Sequence, residues 1–349
     1  MIDILPPALS TPASWLGPEM LNQQAKWLWT LSSEEIDDLE QATQKYITSS
    51  DALKNITQDK FCLPVLGQRL EKLRSELVGG RGFGVLRGLN TAHYSRIEIA
   101  TLFMGIGAHI GRPRSQNAAG HLLGHVRNVG VDANDPNVRI YQTSERQTFH
   151  TDSCDVVALL CLQTAQSGGE SLLVSVESIF NAMRSQRPDL AACLFDPVAT
   201  DKRGEVEPGL APFFTIPVLS WYAGKLSGIY QRQYIDSAQR FESAPKLSAQ
   251  HIQALDLFDV LANDPRLNFS MQLKAGDMQF VHNHSMLHDR NGFVDWPDVD
   301  KRRHLLRLWL STPGDRPLPE VFSQRFGTVE VGNRGGVIVE GAEMQVPTD

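Results

Sequence analysis

The segment that decides the fold reads QTFHTDSCDVVALLCL and spans residues 147–162. Its second half, residues 156–162, is a continuous apolar run, which is the pattern of a strand buried on both faces. Its first half holds His150 and Asp152, two residues apart. Alternate side chains of an extended chain point to the same side, so this pair would share one face. The segment therefore predicts a central strand that is preceded by a polar pair able to bind one metal ion.

Similar short strands are predicted on both sides of this segment, and helices dominate the first ninety residues. Glycines at 168 and 169 precede a strand-like run at 171–174, and alternating or apolar runs recur at 138–141, 278–281 and 304–310. Helices are indicated by a capping box at Ser32 and Glu35, by a leucine stripe, and by later helix starts. The stripe is Leu66, Leu70, Leu73 and Leu77, and the later starts are near Val176 and at Ser248.

These patterns predict an α+β fold that is mainly β: a double-stranded β-helix, or jelly roll, with a helical N-terminal cover and helical insertions. We see no linker or internal repeat that separates two domains. The expected organisation is one elaborated domain over residues 1–349. It comprises a helical cover at 1–80, a jelly-roll core at 80–315 and a C-terminal extension at 316–349.

The composition and net charge of the chain limit the classes of partner that it is expected to bind. The chain has 349 residues, 33 Lys and Arg against 40 Asp and Glu, and a net charge of -7. This balance disfavours nucleic-acid and membrane-surface binding, so we expect a small-molecule partner. Four cysteines without a CxxC pair, and no apolar run long enough to span a bilayer, favour a cytoplasmic protein. A homo-oligomer is compatible with these features.

The His150 and Asp152 pair has a specific chemical meaning. An imidazole and a carboxylate supply two ligands of the 2-His-1-carboxylate triad that holds non-haem Fe(II) and leaves positions open for co-substrate and oxygen. The third ligand would be a distant histidine. Without such a histidine, the same pair would be a surface salt link.

Two later stretches give this pair a context, AGDMQFVHNHSMLHDR at 275–290 and RRHLLRLWL at 302–310. With them, the chain resembles the taurine/2-oxoglutarate dioxygenase (TauD/TfdA) family, including its clavaminate synthase-like members. The resemblance covers roughly residues 80–315. It rests on four features in the same order: FHTDS, GGES at 168–171, NHSMLHDR and RRHLLRLWL.

The resemblance implies a ligand set and cofactors. His150, Asp152 and His288 correspond to the metal ligands, which are also the catalytic centre, and the cofactors are Fe(II), 2-oxoglutarate and O2. His282 and His284 are rivals for the third position. Only His288 is followed two residues later by an arginine, as in the family motif.

The resemblance also implies roles for residues around the metal. Arg303 would hold the far carboxylate of 2-oxoglutarate with help from the Ser171 hydroxyl, and Arg307 would hold an anionic group of the substrate. In the alternative assignment, Arg307 binds the co-substrate and Arg303 is structural. Arg146 and Asn117 are expected to face the substrate.

The implied reaction oxidises a C–H bond of a small, carboxylate-bearing substrate and releases succinate and CO2. Hydroxylation is the default, and desaturation, cyclisation or epimerisation would use the same ligands. The presence of Asp152 argues against halogenation, because halogenating relatives have a small residue there. Two other classes remain open: a metal-dependent hydrolase and a non-catalytic barrel that binds a ligand.

Overall fold

The computed structural model describes residues 5–132, 139–206, 209–339 and 341–349. Its helices and strands are mixed along the chain. The helices are α1 (Gly17–Asn22), α2 (Ser33–Thr48), α3 (Gly67–Val78), α4 (Arg96–Ile110), α5 (Val176–Gln186), α6 (Pro188–Cys193), α7 (Arg232–Ala238), α8 (Ala249–Ala262) and α9 (Ser323–Phe326). The strands are β1 (Leu28–Thr30), β2 (Phe83–Arg87), β3 (Arg112–Arg114), β4 (Leu123–Val126), β5 (Gln147–His150), β6 (Val156–Gln163), β7 (Ser167–Gly168), β8 (Ser171–Ser175), β9 (Pro197–Asp201), β10 (Phe213–Pro217), β11 (Leu219–Tyr222), β12 (Lys225–Gly228), β13 (Phe269–Met271), β14 (Met278–His282), β15 (Met286–Arg290), β16 (Phe293–Val294) and β17 (His304–Ser311).

Two sheets carry the core. The larger has the order β1-β2-β14-β6-β17-β3, with β4 also paired to β17, and the smaller has the order β13-β8-β15-β5. Only the β1–β2 pair of these described strands is parallel. The sheets do not close into one barrel within the described part of the chain. Three two-stranded pairs, β9–β10, β11–β12 and β7–β16, complete the strands.

The opening prediction for residues 156–162 is confirmed, because β6 is buried on both faces. Val156, Ala158 and Leu160 pack on one side with the N-terminal helices. Val157 and Cys161 point to the other side and share a core with residues of the smaller sheet such as Leu173. The polar pair at 150 and 152 therefore lies just before a strand that packs between two apolar layers.

The helical cover predicted for the N-terminus forms against the larger sheet. The Ser32 side chain accepts from the Glu35 amide, and the Glu35 carboxylate accepts from the Ser32 amide, so the predicted capping box starts α2. The predicted leucine stripe lies at and along α3 and is buried in the same apolar cluster as the outer face of β6. This cover thus shields one face of the larger sheet from solvent.

Three details differ from the sequence-based expectation. β1 lies inside the supposedly helical first eighty residues, because its three residues pair with the edge of β2. α4, which is apolar nearly all round, lies between the helical cover and the larger sheet. The run predicted as a strand at 138–141 lies outside the described residues at 138, and Ile140–Gln142 forms a 3-10 helix.

The C-terminal extension is tied to the core by charges. Arg334 is fully buried, and its guanidinium donates to Asp155 at 2.7 Å and to Asp315 at 3.0 Å. His284 and His282 contact the same two carboxylates at 2.9 and 3.0 Å. This network joins the residues that follow β17 to the start of β6.

None of the helices in the described ranges combines the length and the apolar character needed to cross a bilayer. The division into a cover, a core and an extension within one domain stays a prediction.

Candidate active site

The candidate metal ligands meet where two strands pair. β5 and β15 are antiparallel, and His150 lies directly opposite His288 in their register. Cross-strand neighbours project to the same face of a sheet, so the two imidazoles approach each other, with ring centroids 4.1 Å apart. Asp152 follows β5, and the nearest ligand atoms of all three side chains lie within 4.8 Å of one another. The structure thus brings together three residues separated by up to 138 positions in the chain.

The donor atoms have the protonation states that a divalent metal requires. His150 Nδ1 donates to the Thr148 carbonyl at 2.9 Å, so its Nε2 carries the lone pair. That lone pair accepts from the Gln147 side-chain amide at 2.9 Å, a contact that a bound metal would replace. Burial lowers the pKa of His150 and lowers that of His288 to about 3, which keeps both rings neutral. Burial alone would raise the pKa of Asp152, but Arg307 and the two histidines lower it to about 2. Two neutral imidazoles and one carboxylate form a donor set that fits Fe(II).

Two residues that the sequence did not single out position the carboxylate. The Trp309 indole Nε1 donates to Asp152 Oδ2 at 2.8 Å. The Asn283 side-chain oxygen accepts from the backbone amide of Asp152 at 2.9 Å. These two contacts fix the orientation of the Asp152 carboxylate beside the two histidines. The period-2 pattern of β17 places Trp309 on the same face as Arg307, which is the signal that could have found it.

Removing the indole donor is expected to weaken metal binding. In Trp309→Phe, Asp152 loses the hydrogen bond that fixes its orientation, and we expect Fe(II) affinity to fall about 10-fold, the lower end of the range for such supporting contacts. The measurement is an anaerobic Fe(II) titration. Trp296→Phe, which changes a part-exposed indole, is the matched control. Unchanged affinity in Trp309→Phe would show that the contact does not orient the ligand.

A buried cavity next to the three candidate ligands contains Ser171 and Arg303. Burial lowers the pKa of Arg303 to about 10, so the guanidinium is still charged at neutral pH. No ion pair within 4.0 Å joins its guanidinium to a carboxylate of the described residues, although the charge of nearby Asp295 partly offsets the lowering of its pKa, and the Phe293 ring lies 5.1 Å from the guanidinium. Gly169, at φ +75°, passes so close that an added Cβ would lie 3.1 Å from Arg303 Nε. A buried arginine without a direct ion pair is suited to bind an anionic ligand.

Arg307 lies between this cavity and a second one. It lines both, and its Nη1 is 3.5 Å from Asp152 Oδ2. Gln116 holds the guanidinium in place, because its side-chain oxygen accepts from Arg307 Nε at 2.7 Å. The Tyr141 ring lies 4.6 Å from the same guanidinium. Arg307 can therefore contact a ligand on either side of the metal site.

The second cavity opens on the other side of His150 and Asp152. Its walls come from β17, from the residues around α7 and from the C-terminal extension. Aromatic side chains supply part of this wall, and arginines supply its cationic part. The aromatic residues are Tyr141, Phe214, Tyr230, Tyr234 and Trp309, and the arginines are Arg139, Arg307 and Arg325.

Arg146 does not line either cavity, contrary to the sequence-based expectation. Its guanidinium contacts Asp289 and donates to the Asn263 side chain at 2.7 Å, and the side chain is 42% exposed. The reason is an irregularity in β5: Arg290 pairs with Gln147 while His288 pairs with His150, so one extra residue separates the two pairs. This bulge turns Gln147 towards the metal site and Arg146 away from it.

Asn117 is also absent from both cavities. Its side-chain oxygen accepts from the backbone amides of Ala119 and His121, which stabilises a turn. The neighbouring Gln116 reaches the site instead, through Arg307.

His282 and His284 lie away from the three candidate ligands. With Asp315 they form a second group whose ligand atoms lie within 4.8 Å of one another. The Arg334 guanidinium, however, occupies the same carboxylates at hydrogen-bonding distance. This second group is therefore an internal ion-pair network.

Comparison with known protein families and relatives supports dioxygenase chemistry. The family described as "Taurine catabolism dioxygenase TauD, TfdA family" matches residues 49–309. The FR-33289 synthase of Streptomyces rubellomurinus is 28% identical over 327 residues, which cover 93% of this chain and 96% of that protein. A taurine hydroxylase-like protein of Stachybotrys chartarum is 29% identical over 310 residues, 86% of this chain and 79% of that protein.

Among solved structures, an asparagine oxygenase in complex with Fe(II), 2S,3S-3-hydroxyasparagine and succinate superposes with a TM-score of 0.65. The match covers 81% of this chain and 93% of that chain at 16% sequence identity. At this identity the likeness concerns the fold.

Proposed function

Because the chain belongs to the taurine catabolism dioxygenase TauD, TfdA family, we propose that it oxidises a C–H bond of a small anionic substrate, by hydroxylation in the default case. It is a non-haem Fe(II)/2-oxoglutarate-dependent dioxygenase. The observation that carries the proposal is the convergence of His150, Asp152 and His288 beside two cavities. We also propose that the two sheets are the halves of a double-stranded β-helix.

We assign the metal to these three side chains. Fe(II) bound there would supply oxygen activation coupled to the conversion of 2-oxoglutarate into succinate and CO2. The part of the chain is to keep the imidazoles neutral, to keep Asp152 ionised and to fix its orientation through Trp309. Burial of all three excludes bulk water from the metal site.

The cavity with Ser171 and Arg303 is the proposed co-substrate site. A 2-oxo acid that chelates the metal would extend its far carboxylate towards Arg303, whose guanidinium forms no direct ion pair with a carboxylate of the described residues. The Ser171 hydroxyl, which donates to Gln279 at 3.0 Å, can redirect its hydrogen and donate to that carboxylate. Neutralisation by the ligand offsets the cost of burying the arginine.

The cavity on the other side of Asp152 is the proposed substrate site. Arg307 borders it and can hold an anionic group, for which a carboxylate is the simplest candidate. Anchoring the substrate by such a group aims one C–H bond at the metal and accounts for selective oxidation. Desaturation, cyclisation and epimerisation remain alternative outcomes of the same arrangement.

Anaerobic titration of the apoprotein with Fe(II) and 2-oxoglutarate tests the assignment. We expect a weak visible charge-transfer band when the 2-oxo acid chelates the bound metal. A zinc hydrolase or a non-catalytic binding module would give no such band. A screen of small anionic compounds for substrate-stimulated succinate release would then identify the substrate.

Substitutions of Arg303 and Arg307 are expected to have different effects on the reaction. Arg303→Leu should raise the 2-oxoglutarate concentration needed for half-maximal succinate formation by at least about 10-fold, because a charge-assisted contact to a carboxylate is lost. Arg307→Leu should mainly uncouple succinate formation from substrate oxidation. Both quantities are read from parallel succinate and product assays. Arg302→Leu, which changes a neighbour outside both cavities, is the control. The opposite pattern would exchange the two roles.

A further inference from the structure

Two arginines of the substrate cavity have no role in the arrangement above. Arg139 precedes a 3-10 helix, and Arg325 lies in α9, outside the region that matches the family. Both line the cavity together with Arg307. Three guanidinium groups around one small cavity exceed what a single carboxylate needs.

Arg325 is held rigidly at this wall. Its neighbours Phe322 and Phe326 are buried in an apolar cluster with Phe214. Its Nε donates to the Ser153 hydroxyl at 2.7 Å, and Ser153 is the residue next to the ligand Asp152. Burial and the nearby Arg139 lower the pKa of Arg325 to about 10, so it remains protonated at neutral pH.

Among the described residues, the acidic groups that contact these cations do not balance their charge. Among ion pairs of the described residues, Glu205 serves both arginines: it contacts Arg139 directly and lies 3.9 Å from Arg325 Nη2. Asp201 also lines the cavity but is paired with Arg240 at 2.8 Å. One carboxylate for two guanidinium groups leaves a positive charge, and the charge of Arg307 adds to it once Asp152 binds a metal.

We propose that the substrate carries a doubly charged tetrahedral head, a phosphonate or a phosphate monoester, bound between Arg139, Arg325 and Arg307. This inference rests on the proposed function and names the anionic group of its substrate. Three oxygens at tetrahedral angles can each accept from a different guanidinium, whereas a planar carboxylate satisfies one fork.

Calorimetric titration of the full chain, loaded anaerobically with Fe(II) and 2-oxoglutarate, tests the head group. The probes are ethyl phosphate, ethylphosphonate, ethanesulfonate and propionate at about pH 8, where a phosphate monoester carries two charges because its second pKa is near 6. We expect the two phosphorus probes, in their dianionic form, to bind at least about 10-fold more tightly than ethanesulfonate, which has the same tetrahedral head and one charge fewer. The tighter of the two identifies the source of the head group. Equal binding of ethanesulfonate or propionate would overturn the proposal.

Charge should also be visible in the pH dependence. At about pH 5.5 most ethyl phosphate carries one charge, and its advantage over ethanesulfonate should shrink. An advantage that persists unchanged would mean that shape, and not the second charge, is recognised, and would contradict the proposal.

Variants locate the binding groups. Arg325→Gln and Arg139→Gln should each weaken ethyl phosphate binding at least about 10-fold, and Arg325→Lys should weaken it less. Arg266→Gln, which changes an exposed arginine paired with Asp264, is the control and should bind normally. Normal binding by both cavity variants would refute the site. If Arg325→Gln does not fold, Arg139→Gln and the probe series still decide.

The outcomes separate this inference from the proposed function. No charge-transfer band in the unaltered protein contradicts the oxygenase assignment. A normal band without preference for a dianion contradicts only the head group.

Discussion

Replacing His288 with alanine is expected to abolish the Fe(II)/2-oxoglutarate band and substrate oxidation together. His288 and His150 lie opposite each other on paired strands, with Asp152 beside them. Loss of one of three protein ligands removes a metal–nitrogen bond and leaves a cavity that water can enter. Since removal of mere supporting contacts costs about 10- to 100-fold in metal affinity, loss of a ligand should weaken Fe(II) binding by more than about 100-fold.

The measurement is the anaerobic titration described above, carried out on His150→Ala and His288→Ala in parallel. His93→Ala, which changes an exposed histidine, controls for nonspecific effects of losing an imidazole. Far-UV circular dichroism should be unchanged in all three, because the candidate ligands belong to a cavity wall and not to the apolar clusters. A band of normal intensity in either ligand variant would refute the metal site.

The second large effect concerns stability. Arg334→Met should lower the free energy of unfolding by about 3–5 kcal/mol, the cost of removing one partner from a buried ion pair. Arg334 is fully buried between Asp155 and Asp315. Without it, the two buried carboxylates lose the cation to which both are hydrogen-bonded.

Urea denaturation followed by tryptophan fluorescence measures this change. The matched control is Arg187→Met, which removes an ion pair whose two side chains are each 48% exposed. Surface pairs contribute about 0–1 kcal/mol, so this variant should unfold close to the unaltered protein. Equal stability of the two variants would show that the buried network adds nothing beyond a surface pair.

The grouping of His150, Asp152 and His288 could be predicted from the sequence because its signals are local. The two-residue spacing of His150 and Asp152 indicates that their side chains lie on the same face, and His288 lies within a family motif. The buried strand β6 could be predicted for the same reason. Its apolar run has no polar position that would face solvent.

The residues that could not be predicted correctly from the sequence owe their positions to strand pairing or to tertiary packing. Arg146 has the correct parity relative to His150 for an uninterrupted strand, and only the irregular register of β5 with β15 turns it outwards. β1 forms because the edge of β2 is available for pairing. A segment of three residues carries too little pattern for this pairing to be predicted from sequence. Arg325 lies 173 residues after Asp152 and meets Ser153 only through the packing of α9.

The buried ion-pair network around Arg334 has a consequence for how substrate recognition could change. The proposed oxidising centre belongs to strands that pair with one another, whereas part of the substrate wall belongs to a C-terminal segment fastened by its own ion pairs. Substitutions in this segment, such as at Arg325 in the proposed substrate cavity, are therefore expected to change what is recognised while the paired strands that carry His150 and His288 keep their geometry.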